Sequence, residues 1–204
     1  MNYFKYGNEA LNHLCTCDER MAKAINKIGF VKRETTPNLF VALIKSIVSQ
    51  QISTKAAETV WGRLLITLGE INPKNIALSN IEKIQSCGLS FRKASYMKEI
   101  AEKILNNQFD LSKLTCLSDE EVIIQLSSLR GIGKWTAEMI LIFSMERLNI
   151  LSWDDLAIRR GLMILYNLDN LSKEEFNMYH LRYSPYASVA SLYLWAIAGG
   201  IVID

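Results

Sequence analysis

The chain has 204 residues, of which 50% are hydrophobic and 22% are charged, and its formal net charge is +2. A chain of this length can form one domain, or two closely joined subdomains, with a substantial core. The charge excludes the strongly basic class of nucleic-acid-binding protein. Any binding to DNA must therefore depend on a local patch and on backbone donors.

The start of the chain, "MNYFKYGNEA", contains no apolar segment or cleavage site of the kind found in secretory signals. The longest apolar run, residues 192–203, is interrupted by Gly199 and Gly200 and is too short to span a bilayer. We therefore expect a cytoplasmic protein, associated with the nucleoid if it is bacterial, without a membrane partner.

The cysteine spacing fits neither a zinc site nor an iron–sulfur cluster. The four cysteines are Cys15, Cys17, Cys87 and Cys116. Because the chain has only two histidines, it offers no credible metal cage. We expect no zinc, no iron–sulfur cluster and inert thiols in a reducing compartment.

Apolar residues recur at helical spacing along most of the chain, and strand patterns are nearly absent, so the sequence predicts an all-α protein of about ten helices. The predicted ranges are 8–28, 38–50, 53–68, 73–77, 79–86, 91–106, 118–127, 134–147, 156–166, 172–181 and 185–198. Ser-x-x-Glu motifs predict capping boxes at helix starts. These motifs are Ser79 with Glu82, Ser118 with Glu121, and Ser172 with Glu175, and Ser53 is a further predicted N-cap.

Two glycines stand between two of these predicted helices, in "LRGIGKWTAEM" at 129–139. Gly131 and Gly133 permit positive φ angles and leave backbone amides uncovered at a helix N-terminus, where the helix dipole favours an anion. A phosphate fits such a position, and Lys134 can add its charge. The alternative is a plain turn in which glycine serves as a helix C-cap.

Asp154 and Asp155 stand where the following helix begins. One acid is sufficient as an N-cap, so the pair indicates that one residue caps the helix while the other faces something else. An aspartate at a helix N-terminus tends to stay ionised. Such a group can stabilise a developing cation or orient a water molecule.

With these residues, the sequence resembles the helix–hairpin–helix DNA glycosylases, and most closely their 3-methyladenine DNA glycosylase II (alkylated-base) branch. The matching blocks are residues 46–64, 88–101, 129–143 with 154–162, and 183–195. The resemblance implies two helical subdomains that flank a central base-binding cleft, in a compact form without the N-terminal β domain of longer members. We expect one module over 1–204, with 53–133 as the central subdomain and 1–52 plus 134–204 as the other.

The resemblance also implies an activity: hydrolysis of the N-glycosidic bond of alkylated purines, of the 3-methyladenine and 7-methylguanine type, in duplex DNA. The base is flipped out of the helix before it is cut. The essential aspartate of the family matches the second acid of the pair, so the resemblance implies Asp155 as the catalytic residue. A carboxylate there can stabilise an oxocarbenium-like transition state. Asp154 is expected to cap the helix or to support Asp155, and the enzyme is expected to act as a monomer.

The remaining site residues come from the same resemblance. A DNA phosphate is expected at Gly131, Gly133, Lys134, Trp135 and Thr136. A monovalent cation, Na⁺ or K⁺, can bind the main-chain carbonyls of Ser127, Leu129 and Ile132. The expected base pocket consists of Trp135, Met139 and Trp195. Gln51 is the expected wedge that fills the gap left by the flipped base, and Gln50 is expected to be structural.

Bifunctional relatives carry a lysine two residues after the second hairpin glycine, where this chain has Trp135. Lys134 is one residue away, and one residue along a helix rotates a side chain by about 100°. We therefore expect a monofunctional glycosylase without AP-lyase activity. Residues 160–204 also lack the cysteines of the iron–sulfur cluster that the lyase branch often carries.

Two alternatives remain open at this point. The protein could be a glycosylase for another lesion, an oxidised or deaminated base, or a non-catalytic helix–hairpin–helix DNA-binding module. A basic cluster, Arg92, Lys93 and Lys98, is compatible either with phosphate contacts or with a solvated helix face.

Overall fold

The computed structural model describes residues 2–201, and the ends of the predicted 1–204 module and of the apolar run lie outside them. Over the described residues the chain forms twelve α-helices, one 3₁₀ helix and one antiparallel pair of two-residue strands. The prediction of an all-α protein is confirmed. None of the helices in this part of the chain is long and apolar enough to cross a membrane.

The chain forms two compact units, residues 1–35 with 141–204 (unit 1) and residues 36–140 (unit 2). The elements of unit 1 are β1 (Asn2–Tyr3), α1 (Asn8–Cys17), α2 (Glu19–Ile28), β2 (Glu34–Thr35), α10 (Leu156–Tyr166), α11 (Lys173–Tyr183) and α12 (Ala187–Ala198). The elements of unit 2 are α3 (Leu39–Ser49), α4 (Thr54–Leu68), α5 (Pro73–Leu78), α6 (Ile81–Gln85), α7 (Phe91–Leu105), a 3₁₀ helix (Leu111–Cys116) and α8 (Asp119–Ser127). Helix α9 (Lys134–Phe143) begins in unit 2 and ends in unit 1.

The unit boundaries differ from the predicted division at 52/53 and 133/134. Helix α3 packs against α4 and α7, and therefore belongs to unit 2. Its apolar face, including Leu43, Ile44 and Ile47, is completely buried. The strong apolar stripe of α3 was visible in the sequence, but not the helices that it packs against.

Most predicted helices are present, with three differences. The predicted helix 8–28 is interrupted at Asp18, whose backbone is extended and whose carboxylate caps α2 by accepting from the Met21 amide. The 3₁₀ helix was not predicted, and it begins after Asp110, which accepts from the Ser112 amide. The predicted helix 134–147 already ends at Phe143.

Two of the three predicted capping boxes are confirmed, those of Ser118 and Ser172, together with the N-cap at Ser53. The box at Ser79 is wrong. Ser79 ends α5, where its hydroxyl donates to the Asn75 carbonyl, and α6 begins only after Asn80. A serine that bonds back to the preceding turn cannot also cap the next helix.

In unit 1, α10 packs closely against α12. The contact depends on Gly161, because a Cβ at this position would lie 2.3 Å from the Leu194 carbonyl oxygen. Glycine allows two helix backbones to approach each other where any side chain would separate them. This approach brings the start of α10 and the last turn of α12 into the same part of unit 1.

Candidate active site

Asp155 caps α10 in unit 1. Its Oδ1 accepts from the Ala157 amide at 3.0 Å and from the Ile158 amide at 2.9 Å, and the residue is 7% exposed. Asp154, by contrast, is exposed and lies in the preceding turn. The interpretation that Asp154 caps the helix is therefore wrong, because the acid expected to face the substrate is itself the cap. A supporting role for Asp154 stays a prediction.

A third donor reaches the same oxygen. The indole Nε1 of Trp195, on α12, donates to Asp155 Oδ1 at 3.1 Å. Sequence reasoning placed Trp195 only in the wall of a base pocket and missed this contact. A half-buried indole N–H usually finds an acceptor, but forty residues separate the two partners and no local pattern identifies the acceptor.

The Trp195 ring also contacts two other side chains of unit 1. Phe143 lies with its ring centroid 5.4 Å from that of Trp195, at an interplanar angle of 32°. The guanidinium carbon of the exposed Arg33 is 5.8 Å from the ring centroid, within the range of a cation–π contact. Arg33 was not identified from the sequence, in which it is one of several basic residues.

In unit 2, the hairpin between α8 and α9 depends on one of its two glycines more than on the other. Gly131 has φ +88°, and a Cβ there would lie 2.4 Å from Cδ2 of Tyr96. Gly133 does not have a positive φ, and a Cβ would enter open space. The positive φ that both glycines permit is therefore used at Gly131 and not at Gly133.

Helix α9 begins directly after Gly133. The Ala137 amide makes the first helical bond, to the Gly133 carbonyl at 3.0 Å. The amides of Lys134, Trp135 and Thr136 precede that bond, which is the geometry of an anion-binding helix N-terminus.

The side chains of this first turn differ in their surroundings. Lys134 Nζ is 3.8 Å from the carboxylate of Glu138, a buried acid one turn further on. Thr136 is buried, whereas Trp135 is 45% exposed and Met139 is half-buried. Trp135 and Met139 lie on one face of α9, as predicted from their spacing. Glu138 was not identified from the sequence as a partner of Lys134.

The predicted wedge lies at the tip of the turn between α3 and α4. Gln51 is exposed and has φ +57°, a left-handed conformation that is uncommon for a residue other than glycine. Its neighbour Gln50 is turned inward, and its side-chain amide donates to the Gly131 carbonyl at 2.7 Å. The structure therefore brings the wedge turn and the hairpin together within unit 2.

Two of the three residues of the basic cluster donate hydrogen bonds to backbone carbonyls of unit 2. Lys93 donates to the carbonyls of Val48 and Gln50, and Lys98 donates to the carbonyls of Ala77 and Ser79. Neither ammonium group matches the phosphate-contact interpretation, and Arg92 remains the exposed member of the cluster.

The carbonyls proposed for a monovalent cation, those of Ser127, Leu129 and Ile132, belong to this same hairpin. The Leu129 carbonyl accepts from the Ile132 amide at 3.0 Å and keeps a second lone pair. Main-chain oxygens are suitable ligands for a hard cation, so these residues fit such an ion. An ion here would hold the hairpin in shape without taking part in the chemistry.

The site residues are thus divided between the two units. Unit 1 contains Asp154, Asp155 and Trp195, of which the last two are hydrogen-bonded. The other predicted site residues, those of the hairpin, of the wedge turn and of the first turns of α9, belong to unit 2. Together they define the class: a helical protein with a glycine hairpin before a helix and a buried aspartate at the start of the next one.

Comparison with known families agrees with this class. Residues 44–183 match the family model described as HhH-GPD superfamily base excision DNA repair protein. The match includes the wedge turn, the hairpin and both aspartates. The chain belongs to the HhH-GPD superfamily of base excision DNA repair proteins.

Individual relatives agree with this assignment. DNA-3-methyladenine glycosylase 1 of Schizosaccharomyces pombe is 32% identical over 194 residues, covering 90% of this chain and 84% of that protein. The crystal structure of a DNA-3-methyladenine glycosidase from Bacillus halodurans superimposes with a TM-score of 0.87 at 34% identity, covering 98% of this chain and 94% of that one. The Schizosaccharomyces pombe 3-methyladenine DNA glycosylase in complex with abasic DNA gives a TM-score of 0.74 at 30% identity, covering 92% and 95%.

Proposed function

We propose that this protein is a DNA glycosylase that hydrolyses the N-glycosidic bond of alkylated purines in duplex DNA. The observation that carries the proposal is the carboxylate of Asp155, which is buried and held by two backbone amides and an indole N–H. The names of the similar proteins, 3-methyladenine DNA glycosylases of a fungus and a bacterium, support the alkylated-base class.

The chemistry follows from where charge develops. As the bond between C1′ and the base nitrogen breaks, the base leaves with the electron pair and the sugar becomes oxocarbenium-like. A fixed carboxylate stabilises this positive charge and orients the water that adds to C1′ with loss of a proton. An alkylated purine that is already cationic leaves as a neutral base, so no strong general acid is required.

We assign the main contacts with DNA to unit 2. The amides at the start of α9 suit a phosphate of the damaged strand, and the exposed Gln51 suits insertion into the gap that a flipped base leaves. Trp135 and Met139 stay predicted contacts of the base. The complex with abasic DNA formed by the Schizosaccharomyces pombe relative supports DNA as the partner. Action as a monomer on damaged DNA is part of the proposal.

We also assign a monofunctional reaction. A lyase needs an amine that attacks C1′, and Trp135 occupies the position where the lyase branch has that lysine. The neighbouring Lys134 is directed towards Glu138 instead. Borohydride should therefore trap no covalent complex between the protein and damaged DNA, and a trapped adduct would contradict this part of the proposal.

The decisive test is base release from a panel of duplexes that contain 3-methyladenine, 7-methylguanine, hypoxanthine or 8-oxoguanine. We expect release of the alkylated purines by the wild type, loss of release by Asp155→Asn, and a much smaller loss by Asp154→Asn, whose exposed carboxylate is expected only to support the site. Release of only the oxidised or deaminated base would favour a glycosylase for another lesion. Binding to every duplex without release of any base would favour the non-catalytic module.

A further inference from the structure

The wedge turn stores conformational strain. Gln51 has a left-handed backbone (φ +57°) and yet lies exposed at the tip of the turn. A residue other than glycine adopts this conformation at an energetic cost, and it persists where the surrounding structure holds it. Some contact on the buried side of the turn must therefore hold the conformation.

That contact is Lys93, on helix α7. Its Nζ donates to the Val48 carbonyl at 2.9 Å and to the Gln50 carbonyl at 2.6 Å. Helix α3 has no basic residue in its own last turn, so Lys93 supplies the positive charge that a helix C-terminus favours. Burial, and secondarily the neighbouring Arg92, lowers the pKa of Lys93, in agreement with an ammonium group that is turned inward.

The same turn is fixed a second time, to the hairpin. The Gln50 side chain donates to the Gly131 carbonyl at 2.7 Å, while Gly131 is packed against the ring of Tyr96, one turn of α7 beyond Lys93. Helix α7 thus contacts both the wedge turn and the hairpin. The acceptors of these hydrogen bonds are backbone carbonyls, so the contacts fix the backbone that leads into Gln51 and its position relative to the hairpin.

We infer that Lys93 is a positioning residue for the wedge: it holds the turn in the conformation that presents Gln51 to the gap in the DNA. The inference rests on the function proposed above, and it assigns Lys93 no contact with DNA. It predicts that loss of the ammonium group impairs the insertion of Gln51 more than it impairs DNA binding.

The chain provides a matched control. Lys98 lies on the same helix, and its Nζ donates to the carbonyls of Ala77 and Ser79, both at 2.8 Å, at the end of α5. The same substitution at Lys98 removes the same kind of contact, together with a half-exposed ion pair to Glu102 at 3.7 Å, at a helix end that holds no predicted site residue. Lys93→Met and Lys98→Met should therefore lower the melting temperature to a similar extent.

The probe is a duplex with a tetrahydrofuran abasic analogue opposite 2-aminopurine, because fluorescence then reports insertion into the gap without any excision. We expect a fluorescence change with the wild type and with Lys98→Met. With Lys93→Met, as with Gln51→Ala, the amplitude should fall severalfold. Excision of 7-methylguanine under single-turnover conditions should fall about tenfold or more for Lys93→Met, as misplacement of a positioning group predicts. The half-saturating protein concentration should change less than threefold.

The inference is overturned if Lys93→Met keeps the wild-type amplitude, or if both lysine variants lose it equally. Lys93→Arg retains donors that can reach carbonyls, so it should recover most of the signal; failure of this rescue would also contradict the inference. Because the fluorescence assay involves no base release, a wild type that inserts Gln51 but excises no alkylated base would refute the proposed activity and leave the positioning role intact.

Discussion

The surroundings of Asp155 in unit 1 and of the wedge turn and hairpin in unit 2 are organised in opposite ways. Around Asp155, an acidic side chain accepts from two backbone amides and from the indole of Trp195. In unit 2, backbone carbonyls accept from the side chains of Lys93 and Gln50. The first arrangement fixes a charge, whereas the second fixes the course of the chain.

This difference predicts which substitutions each region tolerates. The carboxylate of Asp155 and the indole donor of Trp195 are side-chain groups, so each can be altered without a change in the backbone. A backbone held in an uncommon conformation offers little choice of residue at the positions that adopt it. Unit 2 should therefore respond to substitution mainly through stability and DNA geometry, and the Asp155 region mainly through the rate of the chemical step.

The largest effect is expected at Gly131. In Gly131→Ala, the new Cβ would meet the Tyr96 ring at 2.4 Å, and the φ of +88° would be strained. The two costs together should lower the free energy of unfolding by about 3 kcal/mol, measured by urea denaturation. Gly133→Ala is the control and should be nearly neutral, because its Cβ enters open space. Equal losses in the two variants would refute the asymmetry of the hairpin.

The next effect concerns Asp18, a second capping aspartate of unit 1. Like Asp155 it accepts from a backbone amide and an aromatic side chain, here Met21 and Tyr166, but it also binds Arg182 at 2.7 Å. Burial opposes its ionisation, yet the hydrogen bonds from Tyr166, Met21 and Arg182 outweigh burial and lower the pKa of Asp18 below its usual 3.8. This carboxylate should contribute to stability without any role in excision.

Asp18→Asn should therefore lower the free energy of unfolding by about 2 kcal/mol at pH 7, because it removes the charge that accepts the hydrogen bonds of Tyr166, Met21 and the partly exposed Arg182. The contribution of a carboxylate with a lowered pKa is complete above the unfolded pKa and is lost as the pH falls through the folded one. The difference between wild type and variant should thus shrink below about pH 4. Denaturation curves from pH 7 to pH 2.5 test this, and a difference independent of pH would exclude the charge as its cause. Single-turnover excision at pH 7 should be unchanged.

The third prediction separates the two roles of Trp195. Trp195→Phe keeps an aromatic ring but removes the indole donor, so it should slow single-turnover excision about tenfold, as expected for one hydrogen bond to a charged group. The factor should be the same for 3-methyladenine and 7-methylguanine, because Asp155 acts on the sugar and not on the base. Trp61→Phe, in unit 2, is the control and should leave the rate unchanged. A loss that differs strongly between the two lesions would instead support the pocket-wall interpretation.

In both regions the sequence predicted local features but not the contacts between distant elements. The hairpin glycines and the aspartate pair could be identified because each is a local pattern with a physical meaning, whereas Gln51 was predicted from the resemblance to a family. The hydrogen bond from Trp195 to Asp155 and the contacts of Lys93 could not, because they join elements that are far apart in the chain. The capping role was assigned to Asp154 because the resemblance reserved Asp155 for catalysis, although the predicted helix 156–166 already placed Asp155 directly before its first residue. The structure shows that Asp155 itself is the N-cap.

The smallest effect is expected at Lys134. It tests whether DNA binding by unit 2 depends mainly on the charge of this side chain or on the backbone amides of the hairpin. The Lys134 side chain is 55% exposed and its ammonium group lies 3.8 Å from the Glu138 carboxylate, so it can give only part of its charge to a phosphate. Lys134→Gln should weaken binding to an abasic duplex about threefold at 0.1 M salt. In plots of log Kd against log salt concentration, the slope for Lys134→Gln should be smaller than the wild-type slope by about 1 if Lys134 neutralises one full phosphate charge. The decrease should be less than 1 if Glu138 neutralises part of the ammonium charge. Because Gly133→Ala adds no charge change, any loss of affinity in that variant should leave the slope unaltered. If Lys134→Gln lowered affinity a hundredfold, the hairpin would bind DNA mainly through this side chain, and the contrast between a fixed charge in unit 1 and a fixed backbone in unit 2 would fail.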